Sequence, residues 1–267
     1  METDMLARVE IKIDCDEKLS VQMGALFHGA LMEEISEDYA SFLHRPELHP
    51  FAQHLERRDG EWYWIVNCMN REAAECIIDR ALEPMDCIEL KKLGYKVVLK
   101  EKKRSSISQR ELMDQFYCSR ASRYVKLHFV TPTAFKQNGK YLFYPDLRCI
   151  YQSLMNKYDA SVSKESMVDE DTLEDLTANT EVLQYDLKSV KYQMGAVRIP
   201  SFIGKIKLRI KGTQTMADFG NLLFHFGTYS GVGIKSALGM GAFKMIDEGS
   251  DRGERKTVKT DCGQPSA

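Results

Sequence analysis

The same order of elements runs through this chain twice, and that repetition limits the folds open to it. In the first strand, Met5–Asp14, alternation sends Ala7, Val9, Ile11 and Ile13 to one face and Arg8, Glu10, Lys12 and Asp14 to the other. Helical spacing follows over residues 20–39, carried by Met23, Phe27, Ala30, Leu31 and Ile35 and weakened by Gly24 and Gly29. A strand at "EWYWIVNC", with a partner near residues 51–55, precedes a helix over residues 71–82. One strand over residues 87–99 closes this half. The second half opens on "RYVKLHFV", with Val125, Leu127 and Phe129 inward. Pro145 starts a helix whose Leu147, Ile150, Tyr151, Leu154 and Tyr158 form one apolar stripe. Strands near residues 187–197 and 205–211, a helix over 213–226 and a last strand over 242–246 complete it. Each half reads strand–helix–strand–strand–helix–strand, the ferredoxin-like unit. The fold class expected is therefore α+β: two tandem ferredoxin-like (RRM-like) domains, residues 1–118 and 119–248, with a glycine-rich loop at 229–241.

Composition narrows the functional classes. A chain of 267 residues with 43% hydrophobic and 28% charged residues is an ordinary globular protein with a sizeable core. It contains no run of about 18 apolar residues, so no membrane span is expected. The charged, alternating start "METDMLARVEIKID" is not a signal peptide. Cysteines 15, 68, 76, 87, 118, 149 and 262 form no CxxC pair, which favours free thiols in a reducing cytoplasm over disulfides or a zinc site. The net charge of −2 is unevenly spread. The stretch "ESMVDEDTLEDLTANTE", within an acidic insertion at 163–184, holds no lysine or arginine, and reads as solvated and partly disordered. Without it the chain is net positive. The polar tail at 249–267 reads as disordered.

Four glycines, Gly231, Gly233, Gly239 and Gly241, crowd "YSGVGIKSALGMGAFKM". A P-loop would need GxxxxGK followed by Ser or Thr, between a strand and a helix. A dinucleotide fold would need a third glycine opening a helix. Here the helix comes first and a strand follows, so no nucleotide cofactor is expected. The glycines either shape a hairpin or let backbone N–H groups approach a polyanion, with Lys235 and Ser236 beside them. The neighbouring "GKIKLRIKG" sends Lys205, Lys207, Arg209 and Lys211 to one face, a row suited to a phosphate backbone or to solvent.

With "TPTAF" early in the second half, "FLH" after the first helix and "GVGIKSALGMGAFKM" near the end, the chain resembles a CRISPR repeat-processing endoribonuclease. That is the sixth Cas protein family, in the repeat-associated RNA-binding superfamily. The resemblance reaches from the start to about Met245, apart from the acidic insertion. It implies metal-independent cutting within the repeats of a CRISPR transcript, leaving 5′-hydroxyl and 2′,3′-cyclic phosphate ends. The implied partner is CRISPR repeat RNA, with no cofactor and no metal; a homodimer and docking on other CRISPR effector subunits stay open. Two alternatives also stay open: a guide-holding subunit that does not cut, and a ferredoxin-like protein that binds no nucleic acid.

Cutting of this kind needs an acid and a base, and histidine titrates in the right range. Of the six histidines, His44, His49 and His54 fall in "FLHRPELHPFAQHLE", a proline-broken stretch after the first helix. By resemblance, His44 matches the family's general acid/base, and His49 is the second choice, as partner base or as a cation at the transition state. The family's helper tyrosine has no match here: Met32 stands at or near its place, and Tyr39 is the nearest tyrosine. His28 stands on the first helix at a position that could equally be core and ranks below His44 and His49; His128 reads as RNA-facing or solvated, and His225 as structural. Tyr229 and Phe243, flanking the glycine loop, are candidates for base stacking.

Overall fold

The computed structural model describes residues 5–43, 49–117, 120–162 and 169–246. The first unit opens with β1 (Met5–Asp14). Residues 20–39 break where one helix was expected, into a 3-10 turn (Val21–Met23), α1 (Gly24–Glu34) and α2 (Glu37–Leu43). Ile35 is extended at φ −82° and ψ 148°. Glu37 and Asp38 then occupy the first turn of a new helix, where the dipole favours carboxylates. The hairpin β2 (Phe51–Arg58) and β3 (Glu61–Cys68) follows. Next, α3 (Arg71–Ala73) runs into a π-helix (Ala74–Leu82). The single strand expected over 87–99 is a pair, β4 (Cys87–Leu90) and β5 (Tyr95–Ser108), turned at Gly94 with φ 68°. The sheet order is β2-β3-β1-β5-β4. Its helix-facing side buries Val9, Ile11, Trp64 and Val66, and Phe27 of α1 meets Trp64 edge-on at 5.1 Å.

After α4 (Gln109–Tyr117), the second unit repeats the plan. It comprises β6 (Tyr124–Thr133), the small hairpin β7 (Phe135–Gln137) and β8 (Lys140–Leu142), and α5 (Leu147–Val162). Then come α6 (Glu170–Ala178), a long hairpin of β9 (Thr180–Met194) and β10 (Val197–Ile210), α7 (Gln214–Ser230) and β11 (Phe243–Met245). The order is β11-β6-β10-β9. In both sheets the unit's first strand is central, its third and last strands flank it, and its second forms the far side, the ferredoxin-like arrangement. The four-stranded sheet packs Leu127, Phe129, Ile206 and Leu208 against Tyr151, Leu154, Phe224 and Phe226 of α5 and α7.

The acidic stretch departs from expectation. Asp169 accepts from the N–H groups of Asp171 and Thr172 and starts α6, which buries Leu173 and Leu176 in the second core. Its carboxylates therefore lie on the outer side of a packed helix, with Glu170 and Asp171 in the first turn, where they suit the dipole. Residues 163–168 and the tail expected at 249–267 lie outside the described residues. Among the described residues, no helix is long and apolar enough to cross a membrane.

Candidate functional site

The glycine loop leaves α7 at Ser230 and returns into β11, and its glycines serve the chain's own close packing. At Gly241, with φ 73°, a Cβ would lie 2.0 Å from the Val232 carbonyl oxygen. At Gly233, with φ 75°, it would lie 2.3 Å from that of Ala134. The four glycine N–H groups are already engaged. Gly231 donates to Gly227 O at 2.9 Å, Gly233 to Ser153 Oγ at 2.8 Å, Gly239 to Ser236 O at 3.3 Å and Gly241 to Pro132 O at 3.0 Å. Gly231, Gly239 and Gly241 are buried. Of the two readings of the glycines, the packing of the loop against β6 and itself accounts for these contacts. Lys235, itself left-handed at φ 58°, and Ser236 stay partly exposed on the loop.

This loop is also where the two units meet. Its 3-10 turn, Ser236–Leu238, packs on α1 and β2, and Ala237 joins the first unit's core. Gln53 of β2 fastens the junction. Its Nε2 donates to Gly24 O at 2.7 Å and Ala237 O at 3.0 Å, while Trp64 Nε1 donates to its Oε1 at 2.9 Å. Tyr192 donates its hydroxyl to Leu238 O at 2.5 Å. Two residues before Gln53 on β2, Phe51 carries His28 stacked at 5.9 Å and the exposed His49 at 6.1 Å. His44 lies outside the described residues. Tyr39, the tyrosine nearest the family position, is in the first core, where burial pushes its hydroxyl pKa up. Met32 packs against that same core.

The cation row lies on the second sheet's outer face, opposite buried Ile206, Leu208 and Ile210. Pairing sets Lys205 beside His128, Lys207 beside Lys126 and Arg209 beside Tyr124. Lys207 and Arg209 stand over the Tyr124 ring at 5.6 and 5.8 Å. Arg209, at 3.7 Å, and Lys211 converge on Glu181. The row does not meet Lys235 at one point. The loop is anchored at Pro132 and Ala134, whereas Arg209 pairs with Tyr124, so the two are separated by about 26 Å of β6 at roughly 3.3 Å per residue. Phe243 is buried and Tyr229 is half-buried beneath Arg8 at 4.5 Å; the exposed rings beside the cations are Tyr124 and Tyr185.

Between the first sheet, α7 and β11 opens a cleft of about 730 Å³ lined by Arg8, Glu10, His54, Arg58, His225 and Lys244. Arg8 donates to Asn67 Oδ1 at 2.7 Å and Thr228 O at 2.5 Å. Arg58 bridges Glu10 at 2.7 Å and Glu56 at 2.8 Å, and Lys244 reaches Glu56 from the second sheet. His54 is buried here and its Nε2 has no hydrogen-bond partner among the described residues; burial draws its pKa down to about 3. Alternation in "PFAQHLE" places Gln53 and His54 on opposite faces of β2, but nothing in the sequence announces what they meet across the junction.

A CRISPR-associated endoribonuclease Cas6 from Streptococcus thermophilus is 32% identical over 222 residues, 82% of this chain and 89% of that protein. This chain belongs to the Cas6 family. A Cas6 endoribonuclease of Mycobacterium tuberculosis agrees at 31% identity over 91% of this chain and 79% of its own length. Residues 127–243 match the family profile described as CRISPR-associated endoribonuclease Cas6. That match covers most of the second sheet and the whole glycine loop. Among solved structures, a Cas6 product complex superposes with a TM-score of 0.75 at 22% identity, covering 91% of this chain and all of that one. The tandem ferredoxin-like fold is thus shared with Cas6 proteins.

Proposed function

We propose that this protein is the endoribonuclease that cuts CRISPR repeat RNA in the cytoplasm to release guide RNAs, and that it does so without a metal ion. In this reading residues 1–118 carry the acid/base histidines and residues 119–248 hold the RNA backbone. The 2′-oxygen of the nucleotide before the cut attacks phosphorus while a base removes its proton. The bond from phosphorus to the 5′-oxygen breaks, and an acid delivers a proton to that oxygen. The products carry a 2′,3′-cyclic phosphate and a 5′-hydroxyl. His44 is the general acid/base, contributing about 10²–10⁴-fold, and His49 acts as its partner base or as a cation at the scissile phosphate. Lys205, Lys207, Arg209, Lys211 and Lys235 take the phosphates, with Ser236 and the shape imposed by Gly231, Gly233, Gly239 and Gly241 fixing the loop beside them.

The observation that carries this reading is the junction at Gln53, which binds Ala237 of the glycine loop to the strand that follows the histidine stretch. Residues 184 apart in sequence are thereby fixed side by side, which supports a path for loop-held RNA past the start of β2, where His49 stands by Phe51. The test uses the repeat RNA of the same source in excess EDTA, with wild type, His44→Ala and His49→Ala. One cut in EDTA is expected, lost in His44→Ala and slowed about 10-fold or more in His49→Ala, with RNA affinity within a few-fold of wild type. Tight binding without any cut by the wild type would make the protein a guide-holding subunit instead.

A further inference from the structure

Lys157 is a lysine where the apolar stripe of α5 should carry a hydrocarbon. It sits one turn beyond Leu154 and two beyond Ile150, and only 6% of it is exposed. No ion pair with a carboxylate accompanies it among the described residues. Its Nζ instead donates to Ser230 O at 3.1 Å, Gly231 O at 3.2 Å and Ser236 Oγ at 3.0 Å. Two of these acceptors are the last residue and C-cap of α7, a helix of 17 residues, where the dipole presents negative charge and carbonyls lack partners along the helix. The third stands five residues further on, next to Lys235. One ammonium group therefore ties the helix end to the far side of the loop. Burial without a counter-ion draws its pKa down to about 7. A buried charge of this kind is costly, and a hydrophobic side chain of similar length would pack there at lower cost.

We propose that Lys157 is a positioning residue for RNA binding: by holding Ser230, Gly231 and Ser236 together it sets the place from which the Lys235 ammonium meets the RNA backbone. This rests on the reading that the glycine loop contacts RNA. Without the ammonium group, the loop keeps its contacts to Gln53, Tyr192, Ser153 and β6, and Gly231 its bond to Gly227 O, but Ser236 is released from the end of α7. Lys235 then loses its fixed position while remaining on the loop. Lys157 itself touches no RNA.

The test is a double-mutant cycle on repeat-RNA affinity, using the full chain with Lys157→Met, Lys235→Ala and both together. Lys235→Ala should weaken binding about 10-fold in the wild-type background, the size of one charge-assisted contact. In the Lys157→Met background the same change should cost 3-fold or less. The rate of cutting at saturating RNA should fall by less than 3-fold in Lys157→Met, so the defect lies in binding. Equal losses in the two backgrounds would overturn the proposal, because a residue that only supports the fold acts independently of Lys235. Absence of any effect of Lys235→Ala in the wild type would also overturn it; the cut made by that same wild type in EDTA then judges the ribonuclease reading separately. If Lys157→Met does not fold, Ser236→Ala, which removes one of the three acceptors and keeps the lysine, enters the same cycle with the same two outcomes.

Discussion

His54 stays uncharged because it is buried in the cleft between the first sheet and α7, with its pKa near 3 against an ordinary 6.5. Unfolding restores the higher value, so between those limits the unfolded chain binds more protons than the folded one. The stability that this residue contributes is complete above pH 6.5 and is lost as pH falls towards 3. The predicted slope is at most about 1.4 kcal/mol per pH unit for one proton. His54→Gln cannot take that proton, so chemical denaturation at pH 4, 5, 6 and 7 should give a shallower decline for the variant. Parallel curves would mean that His54 takes up its proton as readily in the folded chain as in the unfolded one. At this scale the sequence was legible where side-chain chemistry acts alone, and less so where it acts across the fold. Gly231, Gly233, Gly239 and Gly241 mark a tight loop under either reading, since approach to a phosphate and approach to the chain's own carbonyls place the same demand on Cβ. Lys157 did leave a mark, a cation on an apolar stripe; the carbonyls that make it tolerable belong to a helix more than 70 residues away.

Among the elements, the alternation in β1, β6 and β10 and the stripe of α5 were readable because burial on one face enforces a period. The break at Ile35 and the split of β4 from β5 were not, because backbone turns at element ends are decided by tertiary packing. The acidic helix α6 shows the same limit: its two buried leucines are a weak signal amid carboxylates. The junction between β2 and the glycine loop has no sequence signature whatever. Gln53 is nevertheless satisfied at three points, by Gly24 O, Ala237 O and Trp64 Nε1. Gln53→Leu keeps the volume and takes their partner from the Ala237 carbonyl and the Trp64 Nε1–H, each costing about 1–3 kcal/mol when left unpaired, while the Gly24 carbonyl keeps its bond within α1. We expect a loss of at least about 2 kcal/mol in unfolding free energy, together with faster hydrogen exchange at Leu238 and Gly239, whose amides close the 3-10 turn. Unchanged exchange there would show that Tyr192 and β6 hold the loop without Gln53.

Across the whole molecule, charge placement decides how RNA would be felt. A net charge of −2 predicts little attraction, yet the outer face of the second sheet carries Lys126, Lys205, Lys207 and Arg209 along two adjacent strands. Two acidic residues of β9 stand among these cations: Asp186, across from Lys205 but not ion-paired with it, and Glu181. Glu181 already holds both Arg209 and Lys211, whereas no carboxylate lies within ion-pair distance of Lys205 among the described residues. A phosphate arriving at Lys205 releases a full counterion; one arriving at Lys211 competes with Glu181 and releases less. Each phosphate neutralised adds about 0.7–0.9 to the slope of log affinity against log salt. Lys205→Gln should therefore lower that slope by about 0.7–0.9 in repeat-RNA titrations from 50 to 300 mM salt. Lys211→Gln should lower it by less than half as much, and Glu181→Gln should bring Lys211 to the same weight as Lys205. If Lys205→Gln leaves the slope unchanged, RNA does not cross this face, and the backbone path must run instead through the cleft of Arg8, Arg58 and Lys244.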